Sequence, residues 1–135
     1  MTNIDLLKKA NEVMENSYSP YSNFKVGAAI LLADGTVVTG TNVENASYGA
    51  TICAERSAIV SLISQGLNPS DIKKIAITSY MDTFTPPCAL CRQVMGEFFN
   101  DDVEIIMGNK NLDMKETNIE EILPYRFTKK ELGEN

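Results

Sequence analysis

The sequence predicts an α/β fold, a single mixed sheet with helices on both faces. Three observations carry this expectation. Two strand-like segments joined by a tight turn come early, helical and strand-like patterns then alternate, and 135 residues suffice for one core but not two. Residues 1–135 are therefore expected to form one domain, since no linker, repeat or low-complexity tract divides them.

Each element has its own signal. Ile4, Leu7, Ala10 and Met14 recur at helical spacing behind Asn3, a residue suited to a cap, and predict an amphipathic helix over 4–17. Tyr18-Ser19-Pro20-Tyr21-Ser22-Asn23 is turn chemistry. Segments 25–32 and 36–42 are strand-like and flank Ala33-Asp34-Gly35, a hairpin signal. Segment 45–51 reads as a loop of small and polar residues around Tyr48. Ala54, Ala58, Ile59, Leu62 and Ile63 predict a second helix over 53–65, stopped by Gly66. A buried-type strand over 73–79 follows. Pro86-Pro87 then introduces a third helix over 88–99, because proline suits a first helical turn. A strand over 103–107, a weaker one over 113–117, and a short helix over 120–123 ended by Pro124 precede a polar tail.

Composition removes several function classes. Twelve Lys and Arg stand against eighteen Asp and Glu, a net charge of −6 that argues against a nucleic-acid partner held by phosphate contacts. The chain has no histidine, which excludes Ser-His and Cys-His catalysis and every His-ligated metal site. The longest uncharged stretch, residues 57–70, is too short and too polar to span a bilayer, so no membrane partner is expected. Met1-Thr2-Asn3-Ile4-Asp5 lacks the basic region and apolar run of a secretory signal, and a soluble, cytoplasmic protein is expected.

The three cysteines, Cys53, Cys88 and Cys91, carry the chemistry. An odd count without an export signal argues against a disulfide framework. Cys53 opens one expected helix, and Cys88 and Cys91 open the next. Helix N-termini favour thiolates through their unpaired N–H groups, and residues three apart share a face. A structural zinc site normally takes four protein ligands. Three thiolates and no histidine leave a fourth position for water, the catalytic arrangement, in which the bound water has a pKa near about 7. Arg56 and the two helix ends offer positive charge to balance the thiolates. Glu55 lies two residues after Cys53, nearly opposite it on a regular helix. Both reach one site only if Cys53 sits at the cap, and Glu55 is then placed to move a proton. Simpler readings remain open from the residues alone: small buried cysteines, a Cys88–Cys91 redox pair, or Glu55 as the fourth ligand of a closed zinc site.

Cys53-Ala54-Glu55-Arg56 followed by Pro87-Cys88-Ala89-Leu90-Cys91-Arg92-Gln93 resembles the zinc signature of the cytidine deaminases, in the small homotetrameric form where cysteine replaces the histidine of H-x-E. The likeness extends over residues 18–29, 42–48 and 123–127, and so over most of the chain. It implies a three-layer α/β/α fold with a five-stranded mixed sheet. It also implies hydrolytic deamination of cytidine and deoxycytidine to uridine and deoxyuridine by attack at C4, with release of ammonia in pyrimidine salvage. By the same resemblance Cys53, Cys88 and Cys91 hold one Zn2+ per chain, and Glu55 shuttles protons. Phe24 stacks on the base, Asn42 and Glu44 bind the ribose, and the backbone at Ala54 meets the pyrimidine. Arg56 hydrogen-bonds the thiolates. Ala46, Tyr48 and Phe127 match positions contributed across subunits, which implies a homotetramer with shared active sites.

Two features depart from the family pattern. Ala89-Leu90 replaces its usual glycine and small residue inside C-x-x-C, and segment 80–85 matches nothing in it. Three other functions stay distinguishable by assay. A deaminase of a modified or antibiotic aminopyrimidine nucleoside would prefer such an analogue to cytidine. A structural-zinc domain would turn over no cytosine compound, and a redox protein would form a reversible disulfide.

Overall fold

The computed structural model describes residues 1–133. Its five strands are β1 (Val26–Leu32), β2 (Val37–Thr41), β3 (Ile72–Ser79), β4 (Glu104–Gly108) and β5 (Met114–Thr117). They lie in the order β2-β1-β3-β4-β5. β3 and β4 pair in parallel and every other neighbouring pair is antiparallel, so the sheet is mixed as expected. The tight turn works through Gly35, whose φ of 92° a side chain would oppose. The expected weak strand near 113–117 is genuine and closes the sheet as β5, paired with β4 from Ile105↔Thr117 to Gly108↔Met114.

Strand alternation sorts the core into two layers. Ala29, Ala76 and Ile106 face α1 (Asn3–Met14) and pack on its Leu6, Leu7 and Ala10. Ala28, Ile30, Ile75, Ile77, Ile105 and Met107 face the other way, onto α2 (Ala54–Ser64) and α3 (Ala89–Phe98). A short α4 (Ile119–Ile122) adds Ile119 to this second layer. Small residues set how closely the helices sit. A Cβ at Gly40 of β2 would lie 2.4 Å from Ala58 N and 2.7 Å from Ala54 O, so glycine there lets the first turn of α2 rest on the sheet. That turn is where the functional residues begin.

The boundaries correct some expectations. Thr2, not Asn3, caps α1. Its hydroxyl accepts from Asp5 N at 3.1 Å while the Asp5 carboxylate accepts from Thr2 N at 2.9 Å, a reciprocal box that only this spacing permits. The helix stops at Met14 rather than residue 17, because Ser17 turns away to bond the main-chain and side-chain oxygens of Asn42. The polar tail is not featureless, since Lys129–Leu132 forms a 3₁₀ turn capped by Thr128. Among the described residues no helix is long and apolar enough to cross a membrane.

Candidate active site

The N-termini of α2 and α3 are both capped by cysteine. Cys53 caps α2 with extended backbone, φ −76° and ψ 159°, and Cys88 caps α3 with φ −70° and ψ 165°. The condition read from the sequence is met: Cys53 lies outside the helix, so it and Glu55 reach one region despite their spacing. Cys91, one turn into α3, is fully buried. The three Sγ atoms lie within 4.8 Å of one another, with Cys88 3.6 Å from Cys53 and 3.3 Å from Cys91.

These separations suit a metal. Thiolates bound tetrahedrally to zinc at about 2.3 Å stand about 3.8 Å apart. The donor set is soft and trigonal, and among the described residues it is the only group of three Cys, Asp or Glu ligand atoms gathered this closely. Cys53, Cys88 and Cys91 could therefore hold one zinc ion and leave a position open.

The electrostatics agree with that use. The hydrogen bond with Cys91, followed by those with Arg56 and Cys88, brings the Cys53 thiol down to about 5. The shared hydrogen bond with Cys53, together with burial, pushes Cys91 up. Arg56 Nη2 lies 3.6 Å from Cys53 Sγ and 3.5 Å from the Thr51 carbonyl. Its Nε is buried with no hydrogen-bond partner among the described residues. Glu55, only 3% exposed, is pushed up by burial to about 7.

Phe24, Asn42 and Glu44 lie just outside the ends of β1 and β2. Asn42 is buried, accepting through Oδ1 from Val26 N at 2.9 Å and donating through Nδ2 to the Phe24 carbonyl at 2.7 Å. Among the described residues Asn42 Nδ2 donates to no second acceptor. The Glu44 carboxylate accepts from the N–H groups of Tyr21 and Ser22 at 3.0 and 3.1 Å and from the Ser22 hydroxyl, which hold its pKa below the usual carboxylate value. Between them Val43 exchanges both backbone bonds with Ile52, the residue before Cys53, at 2.9 and 3.0 Å. One bridge thus joins Phe24, Asn42 and Glu44 to the cluster. Ala54 is buried under the same turn, and the Phe24 ring is exposed.

Ala46, Tyr48 and Phe127 stand on the surface instead. Tyr48 is 75% exposed and forms a T-shaped pair with Tyr21, with ring centroids 6.1 Å apart. Phe127 is 57% exposed, anchored by its carbonyl to Gln93 Nε2 at 2.9 Å. The sequence reading did not single out Ser17, Ser22 or Arg92, although they brace this site. Ser17 ended the expected first helix and Ser22 lay inside recognised turn chemistry, but their partners, Asn42 and Glu44, are more than twenty residues away. Arg92 followed the C-x-x-C, and only the fold brings its Nη1 within 3.1 Å of the Ile122 carbonyl.

Known proteins share this arrangement. The family model for the cytidine and deoxycytidylate deaminase zinc-binding region matches residues 1–107. The cytidine deaminase of Halalkalibacterium halodurans is 43% identical over 129 residues, covering 96% of each chain. That of Sporosarcina psychrophila is 38% identical, covering 95% of this chain and 93% of its own. The crystal structure of the cytidine deaminase from Burkholderia pseudomallei superimposes with a TM-score of 0.91 at 42% identity, covering 94% of this chain and 100% of that one. With the zinc-binding region matched over most of its length and its fold shared, this chain belongs to the cytidine and deoxycytidylate deaminase family.

Proposed function

We propose that this chain catalyses the zinc-dependent hydrolysis of cytidine and deoxycytidine to uridine and deoxyuridine, releasing ammonia. The carrying observation is three sulfur atoms within 4.8 Å of one another beside a carboxyl, Glu55, that burial pushes up to about 7. The relatives named cytidine deaminase, at 43% and 38% identity over nearly the whole chain, support the substrate class. When bound by Cys53, Cys88 and Cys91, zinc supplies an activated water, acidified to near about 7, as the nucleophile at C4.

The chain's own residues do the rest. The Glu55 carboxylate accepts the proton that the nucleophile releases and returns it at N3 of the base. It then takes a second proton, from the hydroxyl now on C4, and passes it to the amino nitrogen as the C4–N bond breaks, the C4 carbonyl forms and ammonia leaves. A carboxyl with its pKa near neutrality takes up and gives back a proton at small cost. Arg56 offsets the charge of the thiolates through Cys53. Phe24 offers its ring to the base, and the free N–H groups in the first turn of α2, at Ala54, face the pyrimidine. The spare amide hydrogen of Asn42 and the anionic Glu44 suit a pair of sugar hydroxyls, one accepting and one donating.

Residues 1–135 act as one catalytic unit in the cytoplasm, in pyrimidine salvage, as a homotetramer. The exposed rings of Tyr48 and Phe127 support that assembly, since aromatic side chains this open in one chain are suited to burial against a neighbour. The net charge of −6 favours a free nucleoside over a polynucleotide.

The test is turnover by protein analysed for metal. Cytidine and deoxycytidine should each disappear with one equivalent of ammonia released. Preference for an antibiotic aminopyrimidine nucleoside over both, or no turnover by zinc-loaded protein, would overturn the reading. Turnover by a monomer at sedimentation equilibrium would overturn the shared-site assembly.

A further inference from the structure

The loop over 80–87 joins β3 to α3 and delivers Cys88 to the cluster, and its segment 80–85 is the one the family resemblance left unmatched. Two buried hydroxyls brace it, Ser79 at 0% and Thr85 at 4% exposure. Their oxygens are 2.8 Å apart, and Thr85 Oγ1 donates to the Gly108 carbonyl at 2.7 Å. A hydroxyl has one proton, so the direction follows: Ser79 donates to Thr85, and Thr85 to Gly108. Met81 N donates to Ser79 Oγ at 3.2 Å and completes a polarised chain. Thr85 N also donates to the Gly108 carbonyl, at 2.9 Å, so this residue is bonded twice to the end of β4. Asn109, wholly buried, holds the near side of the loop by donating to the carbonyls of Asp82 and Thr83 at 3.0 and 3.3 Å.

Only Pro86 and Pro87 separate Thr85 from Cys88, and their rings fix φ. Beyond them Arg92 Nε donates to the Pro87 carbonyl at 2.9 Å. Cys88 needs this support more than its partners. It is the exposed cysteine, and its Sγ lies 3.6 Å from that of Cys53 and 3.3 Å from that of Cys91.

We infer that Thr85 is a positioning residue for the metal centre: its buried hydroxyl, acting through Pro86 and Pro87, fixes Cys88 Sγ against Cys53 and Cys91. This rests on the three-thiolate site proposed above. The bracing is inherited from the sheet, because Gly108 ends the strand that pairs in parallel with β3.

Thr85→Val keeps the side-chain shape and removes the hydroxyl, and Thr85→Ser restores it. The readout is the rate at which purified holoenzyme transfers zinc to a chromogenic chelator, alongside kcat and KM for cytidine. Thr85→Val should release zinc about 10-fold faster and lose kcat with little change in KM. Thr85→Ser should return to the parent rate. Ile106→Val loosens the opposite, α1-facing layer and should release zinc as the parent does. If Thr85→Val does not fold, Ser79→Ala removes one link of the chain and should speed release in the same direction. Parental release from Thr85→Val, or from Ser79→Ala in its place, overturns the inference. Equal acceleration in Ile106→Val does so as well. A parent protein that holds zinc but deaminates nothing fails the functional reading alone, and the release rates still decide the role of Thr85.

Discussion

Two carboxyls occupy the first turns of two helices on opposite faces of the sheet, and their fates differ. Asp5 of α1 is exposed and bonded to the Thr2 backbone and hydroxyl, which hold its pKa below the ordinary value. Glu55 of α2 sits under the same kind of helix dipole, but burial pushes it up to about 7. The caps differ in parallel. Thr2 closes its helix with a reciprocal hydrogen-bonded box, whereas Cys53 makes no side-chain cap bond and turns its sulfur to Cys88 and Arg56. Helix position is therefore not what makes a residue functional. The two caps of the cluster themselves differ, since Cys88 accepts from Cys91 N at 3.4 Å while Cys53 makes no such bond, so what sets α2 apart from α1 is the sulfur at its cap and the burial of the neighbouring acid.

The largest way to break this contrast is to remove a sulfur. Cys88→Ala should lose stoichiometric zinc and with it turnover, measured by metal analysis of the purified protein; full zinc occupancy would refute the ligand assignment. Glu55→Ala comes next. It should keep zinc and fold while kcat falls roughly 10⁴-fold, the upper range for a general acid–base residue, and near-parental turnover would remove Glu55 from the chemistry.

Much of this was legible beforehand, for physical reasons that also mark the limit. Cysteine, glutamate and proline announce themselves by type and spacing, so the sulfur cluster, the acid beside it and the third helix could be read without a fold. The cap geometry of Cys53 followed from a helical-wheel argument and stands at φ −76° and ψ 159°. What could not be read were bonds between distant segments: Ser17 with Asn42, Ser22 with Glu44, and Thr85 with Gly108. Serine and threonine are common turn residues, and nothing in one segment says which carbonyl another segment will present. The cap of α1 was misjudged by one residue because Asn3 and Thr2 are both good caps, and only the reciprocal bond to Asp5 distinguishes them.

Two smaller effects sharpen the comparison. In zinc-free protein, Glu55 holds its proton more tightly folded than unfolded. Its contribution to stability is present below pH 4.5 and is lost as pH rises to about 7, a loss of about 3 kcal/mol. Urea melts of zinc-free parent and Glu55→Gln should diverge over that window, with the parent losing stability as pH rises; parallel curves would contradict the buried carboxyl. Asp5 has the opposite sign, its stabilisation being lost as pH falls. Thr2→Ala should cost about 1 kcal/mol in the same melts and leave zinc content and kcat unchanged. A change in either would mean that the two faces of the sheet are coupled.

The central claim is that one zinc ion in the three-cysteine site makes this chain a nucleoside deaminase. The direct measurement is a zinc titration of metal-free protein, following loss of cytidine absorbance and release of ammonia together. The account predicts that both activities rise in proportion and level off at one zinc per chain. Protein carrying one zinc per chain with no loss of cytidine, or full activity without metal, would contradict it.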